Sequence, residues 1–190
     1  MTAPLLGCDI PAAIAVAGAR PEPAITVTAV GLPGPQGSKR HVGNGVMVES
    51  SAKVKPWRQD VKHAALDVTG ALADWTVLTG PLAVAMTFTF ARIKSHYRTG
   101  RYAHLLKDSA PDQPTVYPDL SKIVRSTEDA LTGVVWKDDA QVVQYVRLGK
   151  WYAGVDAPDV LAVPGCVIRV WRLDELAGCQ WPDREAVTAR

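Results

Sequence analysis

Three acidic residues in this chain are of the type that supports phosphodiester chemistry. Asp119 lies just before or at the start of a predicted helix, and the pair Asp138-Asp139 lies just before a predicted strand. Hydrolysis of a phosphodiester needs an in-line water and neutralisation of charge on the phosphate. Mg²⁺ provides both, and it prefers a few carboxylate oxygens and retained waters. Each acid also has a purely structural interpretation, Asp119 as a helix cap and the pair as turn residues.

The helix that follows Asp119 carries a second group of polar side chains. Residues 120–132 predict a helix with one mostly apolar face, and Gly133 ends it. Ser121, Arg125 and Glu128 lie on the opposite side of this helix. Their spacing of three and four residues makes them neighbours on the helix surface. This face therefore either contributes to a site or remains a solvated surface.

The order of these residues resembles the signature of the RusA-type Holliday-junction resolvases. The matching residues are Pro-Asp-Leu at 118–120, Asp-Ala-Leu at 129–131 and Lys-Asp-Asp-Ala-Gln-Val-Val at 137–143. The resemblance is strong over residues 118–146 and weaker over residues 25–90. It implies a small homodimeric endonuclease that cuts four-way or branched DNA with Mg²⁺, for which Mn²⁺ can substitute.

The resemblance also implies roles for single residues, and one position departs from it. Asp119 and Asp139 match metal-binding acids of the family, and Arg125 stands where the family commonly has a catalytic Lys. Ser121 stands where a further acid is expected. We hypothesise that Glu128, two helical turns beyond Ser121, supplies the missing carboxylate to the catalytic metal. The alternative is an exposed Glu128 that pairs weakly with Arg125.

Three functions remain open at this point. The first is a Mg²⁺-dependent endodeoxyribonuclease that resolves Holliday junctions in DNA recombination and repair. In it Asp119, Asp139 and Glu128 hold the metal and Arg125 steadies the phosphate. The second is a branched-DNA-binding protein whose cleavage is weakened or lost because of Ser121. The third is a nuclease that prefers flaps or replication forks.

The distribution of charge suits a nucleic-acid partner better than the net charge of +2 does. The segment 92–107 contains five Lys or Arg and no acid, and the segment 36–62 contains six basic residues and two acids. Such loops fit a phosphate backbone, although solvated loops are often basic as well. The predicted DNA contacts are Lys39, Arg40, Lys94, Arg98 and Arg101. Among the aromatic residues, Tyr97 and Tyr102 could stack on bases, whereas Trp57 is favoured as a core residue.

The pattern of apolar residues predicts an α+β domain over residues 24–173, with a single mixed β-sheet and two main helices packed on it. The RusA resemblance implies the same architecture and adds that two copies pair as a homodimer. Residues 1–23 are predicted to be a loose N-terminal extension, and residues 174–190 a polar tail. The predicted strands are 24–30, 82–90, 141–147 and 166–173, with a possible hairpin pairing 39–41 with 53–55 around 43–45 and a first helix from Pro56 to about Leu72.

Composition narrows the class of protein. No apolar run is long enough to span a bilayer, so no membrane partner is expected. Cys8, Cys166 and Cys179 are odd in number and lack metal-type spacing, which predicts reduced thiols and a cytoplasmic location.

Overall fold

The structure, a computed structural model, describes residues 21–37, 39–41, 47–49 and 52–174. Most of the predicted N-terminal extension and C-terminal tail lies outside these residues, as do Cys8 and Cys179. The elements in chain order are β1 (Ile25–Val30), β2 (Lys39–His41), β3 (Met47–Glu49), α1 (Val54–Gly70), β4 (Leu82–Phe90), α2 (Leu120–Leu131), β5 (Val142–Tyr152) and β6 (Gly165–Arg172). Within the described residues no helix is both long and apolar enough to cross a membrane.

The main sheet has four strands in the order β1-β6-β4-β5. The β1–β6 and β6–β4 pairs are antiparallel, whereas β4 and β5 run parallel. With the two helices, this sheet confirms the predicted α+β fold with a single mixed sheet. Because β5 stands at one end of the order, it pairs only with β4 among the described residues.

The hairpin prediction is half correct. β2 pairs with β3, which is nearer in sequence than the predicted second arm at 53–55, and the two form a separate ribbon. Lys53 instead precedes α1, whose first residue, Val54, is buried. The predicted tip at 43–45 lies outside the described residues. At its other end α1 stops at Gly70, so Leu72 is exposed and does not belong to the buried stripe.

The core lies between the two helices and one face of the sheet. On β4, Leu82, Met86 and Phe88 alternate toward this core, whereas small residues face the opposite side. Trp57 is fully buried, and its Nε1 donates a 3.0 Å hydrogen bond to Thr127 Oγ1 on α2. This confirms Trp57 as a core residue and fixes α1 against α2.

The loop after β1 is fixed between the two helices by backbone contacts. Ser126 Oγ of α2 donates a 2.5 Å hydrogen bond to Gly34 O, and Gln36 N donates a 3.0 Å bond to Lys122 O. A Cβ on Gly34 would lie 2.2 Å from Lys53 O, which is an impossible approach to backbone. The absence of a side chain at Gly34 therefore lets the loop pack against the start of α1.

Gly34→Ala is expected to lower the free energy of unfolding by about 1–3 kcal/mol, because backbone must move to admit the methyl group. Urea denaturation of the purified protein measures this. The matched control is Gly70→Ala, where an added Cβ meets nothing within 4 Å and the residue lies in a helix. That variant should be as stable as wild type or slightly more stable. Equal stability of both variants would contradict the close packing at Gly34.

The long basic loop between β4 and α2 is attached to the end of β5. The guanidinium of Arg92 lies 5.5 Å from the centre of the Tyr152 ring. The His96 ring packs edge-on against the same ring, with 4.6 Å between the two ring centres. Arg92 also donates to Pro111 O, and its side chain is only 5% exposed. Arg92 is therefore a structural residue that holds the loop, while the exposed cations beyond it stay available to a ligand.

The other face of the sheet is partly covered by the loop between β5 and β6. Asp159 in this loop pairs with both Arg147 of β5 and Arg169 of β6. These arginines hold the pKa of Asp159 below its usual value, although its burial acts in the opposite direction. On the helix-facing side of β6, Cys166 is fully buried and forms no disulfide among the described residues.

Candidate active site

Asp119 stands at the N-cap position of α2 without capping it. Its side chain forms no capping hydrogen bond and instead lies 2.9 Å from Lys122 Nζ on an exposed surface. The hydrogen bond and the charge of Lys122 lower the pKa of Asp119, and Lys150 adds to this effect. The capping interpretation is therefore wrong, and the carboxylate is held ionised at the protein surface.

Lys150 ties the far end of β5 to the residues before Asp119. Its Nζ donates to Val116 O at 3.0 Å and to Pro118 O at 2.9 Å. Lys150 was not among the predicted site residues, because the strand was predicted to end at Arg147. Lys122 was overlooked as well, although its spacing of three residues from Asp119 on one helix was a usable signal.

Glu128 lies at the other end of α2 and is largely buried, with 9% of its surface exposed. The hydroxyl of Tyr145 on β5 donates a short hydrogen bond to Glu128 Oε1. Burial raises the pKa of Glu128, and the negative charges of Asp139 and Asp129 raise it further, against the hydrogen bond from Tyr145 and the charge of Arg125. The interpretation of Glu128 as an exposed partner of Arg125 is therefore wrong.

The carboxylate of Glu128 also does not extend back toward Ser121, as the compensation hypothesis assumed. Ser121 is exposed near the start of α2, whereas Glu128 is engaged by β5. Burial also raises the pKa of Tyr145, as do its hydrogen bond to Glu128 and the charges of Glu128 and Asp139. Tyr145 was not predicted as a site residue, because nothing in the local sequence indicates that β5 packs across α2 and brings Tyr145 to Glu128.

Asp138 and Asp139 have different roles despite being adjacent. Asp138 caps a short 3₁₀ turn by accepting a 2.9 Å hydrogen bond from Ala140 N, and Gln141 completes the cap by accepting from the Asp138 amide. The structural interpretation thus holds for Asp138. Asp139 is exposed, and its charge acts on Glu128 and Tyr145. The turn therefore presents Asp139 beside Glu128.

Arg125 is exposed on α2, one turn before Glu128, and its charge also acts on that carboxylate. Asp129, the next acid on the helix, is paired with Arg58 of α1. This ion pair compensates the negative charge of Asp129 where α1 packs against α2. Glu128, Asp139 and Arg125 are therefore charged groups near this end of the helix that are available for chemistry.

The two ends of the expected acidic site are separated within one chain. Asp119 and Glu128 are nine residues apart on one helix, a rise of about 13 Å. β5 runs antiparallel to α2, because Tyr145 meets Glu128 while Lys150 meets Pro118. Asp139 precedes β5, so it lies at the Glu128 end. Accordingly, no group of three metal-binding side chains occurs within the described ranges.

The predicted DNA contacts fall on two segments of the chain. Lys94, Arg98 and Arg101 are exposed in the anchored basic loop. Arg98 pairs with Asp108 at 3.0 Å, and Arg101 lies 4.7 Å from the Tyr102 ring centre. Lys39 and Arg40 lie on β2, but their side chains are not among the described features.

Comparison with known proteins gives two results. The sequence model of the family described as endodeoxyribonuclease RusA matches residues 31–160. The chain is also 30% identical over 131 residues to the uncharacterized protein YqaN of Bacillus subtilis (strain 168), a match that covers 68% of this chain and 88% of that protein. The family match covers both helices and strands β2 to β5, and it leaves out only β1 and β6 among the described elements. It includes all of the acids discussed above.

Proposed function

The chain belongs to the RusA endodeoxyribonuclease family, and from this premise we propose that it is a Mg²⁺-dependent homodimer that nicks Holliday junctions. The observation that carries the proposal is that two carboxylates, Glu128 and Asp139, lie at the same end of α2, where Tyr145 of β5 contacts Glu128 and Asp139 directly precedes β5. One of them is buried and positioned by Tyr145, and the other is exposed where a DNA strand can approach.

The donor set at this end of α2 fits Mg²⁺. This ion is commonly held by one or two carboxylates, retained waters and oxygens of the substrate phosphate. Glu128 and Asp139 would supply the carboxylates. When bound, the metal would neutralise phosphate charge and favour ionisation of the attacking water. Arg125, one turn away, would contact the phosphate with its fixed positive charge.

The edge of β5 that pairs with no other strand in the described part of the chain is the surface we assign to the second copy. The exposed residues 143–146 of this edge strand include Val143, Tyr145 and Val146, and an unpaired apolar edge readily pairs with another chain. A symmetric dimer uses the same patch on both copies. Antiparallel pairing of two β5 strands, centred on residues 143–146, would satisfy both requirements.

This pairing would bring Asp119 back into the site. If the two-fold axis passes between residues 144 and 145, position 150 of one β5 strand lies opposite position 139 of the other copy. Lys150 of one copy would then lie near Asp139 of the other. Asp119 is within charge range of Lys150 in the same chain. The complete site would then contain Glu128 and Asp139 of one copy and Asp119 of the other. Ser121 stands where the family pattern has a further acid, and in this arrangement Glu128 would supply a carboxylate to the site instead.

The proposal is tested with a synthetic four-way junction incubated with the wild-type protein and Mg²⁺. Symmetric nicks that disappear when EDTA is added are the expected result. Tight junction binding without nicks at any concentration of Mg²⁺ or Mn²⁺ would contradict catalysis and support a branched-DNA-binding protein. Flaps or forks that are cut in preference to junctions in a competition assay would contradict the assigned substrate.

The exposed cations of the basic loop are expected to contact phosphates. The double variant Lys94→Gln/Arg101→Gln should bind junctions more weakly, and the slope of log affinity against log salt should fall by about 0.9 for each lost contact. Filter binding or fluorescence anisotropy at several salt concentrations measures this slope. Arg101→Lys, which keeps the charge, is the control and should retain the wild-type slope. An unchanged slope in the double variant would remove this loop from the interface.

A further inference from the structure

A cleft of about 170 Å³ lies close to the start of α2. One part of its lining comes from the loop after β1, with Leu32, Pro33 and Pro35. Another part comes from Tyr117 and Pro118, the two residues that immediately precede Asp119. The cleft therefore opens within one residue of a carboxylate that the proposed function places at the cut phosphate.

The loop that forms the cleft is rigidly positioned. Gly34, which lies between the lining prolines, is packed against Lys53 O and accepts a hydrogen bond from Ser126 Oγ. On the opposite side, Lys150 binds the carbonyl oxygens of Val116 and Pro118. Both sides are thus fixed before any ligand arrives, which limits the entropy lost on binding.

The lining has the chemistry of a nucleobase site. Apart from Lys53, all lining residues are aliphatic, proline or aromatic, and no carboxylate is among them. Tyr117 is 64% exposed as a residue, so its side chain is open to solvent and accessible for stacking. Lys53 offers a cation for the phosphate that accompanies a base. Stacking on an aromatic ring next to a lysine is how proteins commonly bind single-stranded nucleic acid.

We infer that this cleft receives one unpaired base of the branched DNA, stacked on Tyr117, and so sets the distance from the branch point at which the strand is cut. The inference rests on the proposed function, because the base belongs to the strand that Asp119 contacts. A four-way junction offers weakly stacked bases at its crossover, where the cost of extruding a base is low. A fully paired DNA duplex would offer no unpaired base, so the cleft would stay empty and the phosphate to be cut would not be aligned with Asp119.

The test is a coupling measurement between Tyr117 and single bases of the junction. Junctions carrying one abasic nucleotide at successive positions around the crossover are bound to wild type and to Tyr117→Ala without divalent metal, so the strands stay intact. At one position the loss of the base should weaken wild-type binding by about 5- to 100-fold and leave Tyr117→Ala unaffected. Elsewhere the two effects should simply add.

Three further variants make the test specific. Tyr117→Phe keeps the ring and should show the wild-type coupling. Val116→Ala removes an equally exposed neighbouring side chain that does not line the cleft, and it should also keep the coupling. Leu32→Ala, at an exposed lining position, should reduce the coupling at the same nucleotide and serves if Tyr117→Ala does not fold. Thermal melting checks folding in each case.

The outcomes separate the two proposals. If wild type binds and cuts junctions but Tyr117→Ala and every abasic position act additively, the inference about the cleft is overturned and the proposed function stands. A shift of the cut site in Tyr117→Ala with Mg²⁺ present would support the inference further. If wild type neither binds nor cuts a four-way junction, the proposed function is overturned, and the inference with it.

Discussion

Replacing Asp139 with Asn is expected to slow Mg²⁺-dependent nicking of a four-way junction by about 10²- to 10⁴-fold, because a metal site supplies several kcal/mol of transition-state stabilisation. The fold should not change, since Asp139 is exposed and its side chain has no hydrogen-bond partner within the described ranges. Single-turnover cleavage with excess protein separates this loss from a loss of DNA binding. Junction affinity without metal should stay close to that of wild type.

The adjacent acid provides a matched control for this substitution. Asp138 caps the 3₁₀ turn through its side-chain oxygen, and Asn caps as well as Asp does. Asp138→Asn therefore removes the same charge one residue away while keeping the turn, and it should cut within a few-fold of wild type. Equal losses in both variants would mean that Asp139 acts only through the general charge of this turn.

Glu128→Gln is expected to change activity and stability in opposite directions. Loss of the carboxylate should reduce nicking by about 10²-fold or more, because a neutral amide is a poor ligand for Mg²⁺. The same change removes a buried negative charge that lies near Asp139 and Asp129. The melting temperature at pH 7 should therefore rise by about 2–4 °C, which corresponds to about 1 kcal/mol for a domain of this size.

The gain in stability has a defined dependence on pH. In the folded protein the pKa of Glu128 is raised above its ordinary value of 4.5, first by burial. Because the pKa of Glu128 is higher in the folded protein than in the unfolded chain, protonation of Glu128 stabilises the folded state. This stabilisation is fully present below the pKa of Glu128 in the unfolded chain, and it is lost as the pH rises through the pKa in the folded protein. The advantage of Gln should consequently vanish below pH 4.5 and reach its maximum above the folded pKa.

Asp129→Asn is the control for Glu128→Gln because it neutralises the next acid on the helix. Asp129 pairs with Arg58, so this variant should lose stability rather than gain it, while nicking remains near the wild-type rate. Calorimetry and single-turnover cleavage on both variants give the comparison. Wild-type nicking by Glu128→Gln would contradict the assignment of Glu128 to the metal site and leave it as a structural residue.

Local patterns predicted most of the elements that carry these residues. The alternation at Leu82–Phe90 predicted β4 with its observed bounds, and Gly133 marked the end of α2 to within two residues. The second arm of the hairpin was misplaced because Lys53-Val54-Lys55 alternates like a strand, whereas Val54 is buried as the first residue of α1. β5 extends to Tyr152, beyond the predicted end at Arg147, since its pairing with β4 overrides Gly149.

The arrangement of the site depends on contacts that local patterns do not contain. Helical periodicity placed Glu128 on the exposed side of α2, but β5 crosses that side and buries it under Tyr145. Asp119 and Asp139 were expected to meet on the basis of family resemblance alone. Their separation follows from the direction of β5, which is set by its parallel pairing with β4. Whether two strands pair in parallel depends on the tertiary fold, and the sequence of neither strand alone specifies it.

The shared site is tested most directly by mixing two inactive variants, Asp119→Asn and Asp139→Asn. If Asp119 of one copy works with Asp139 of the other, a mixed dimer contains one site with both acids intact. After subunit exchange by dilution and reconcentration, nicking should return to about a quarter of the wild-type rate, because half of the dimers are mixed and each has one working site. If the mixture stays as inactive as its components while gel filtration of tagged chains shows that mixed dimers have formed, the two acids do not share a site across the dimer.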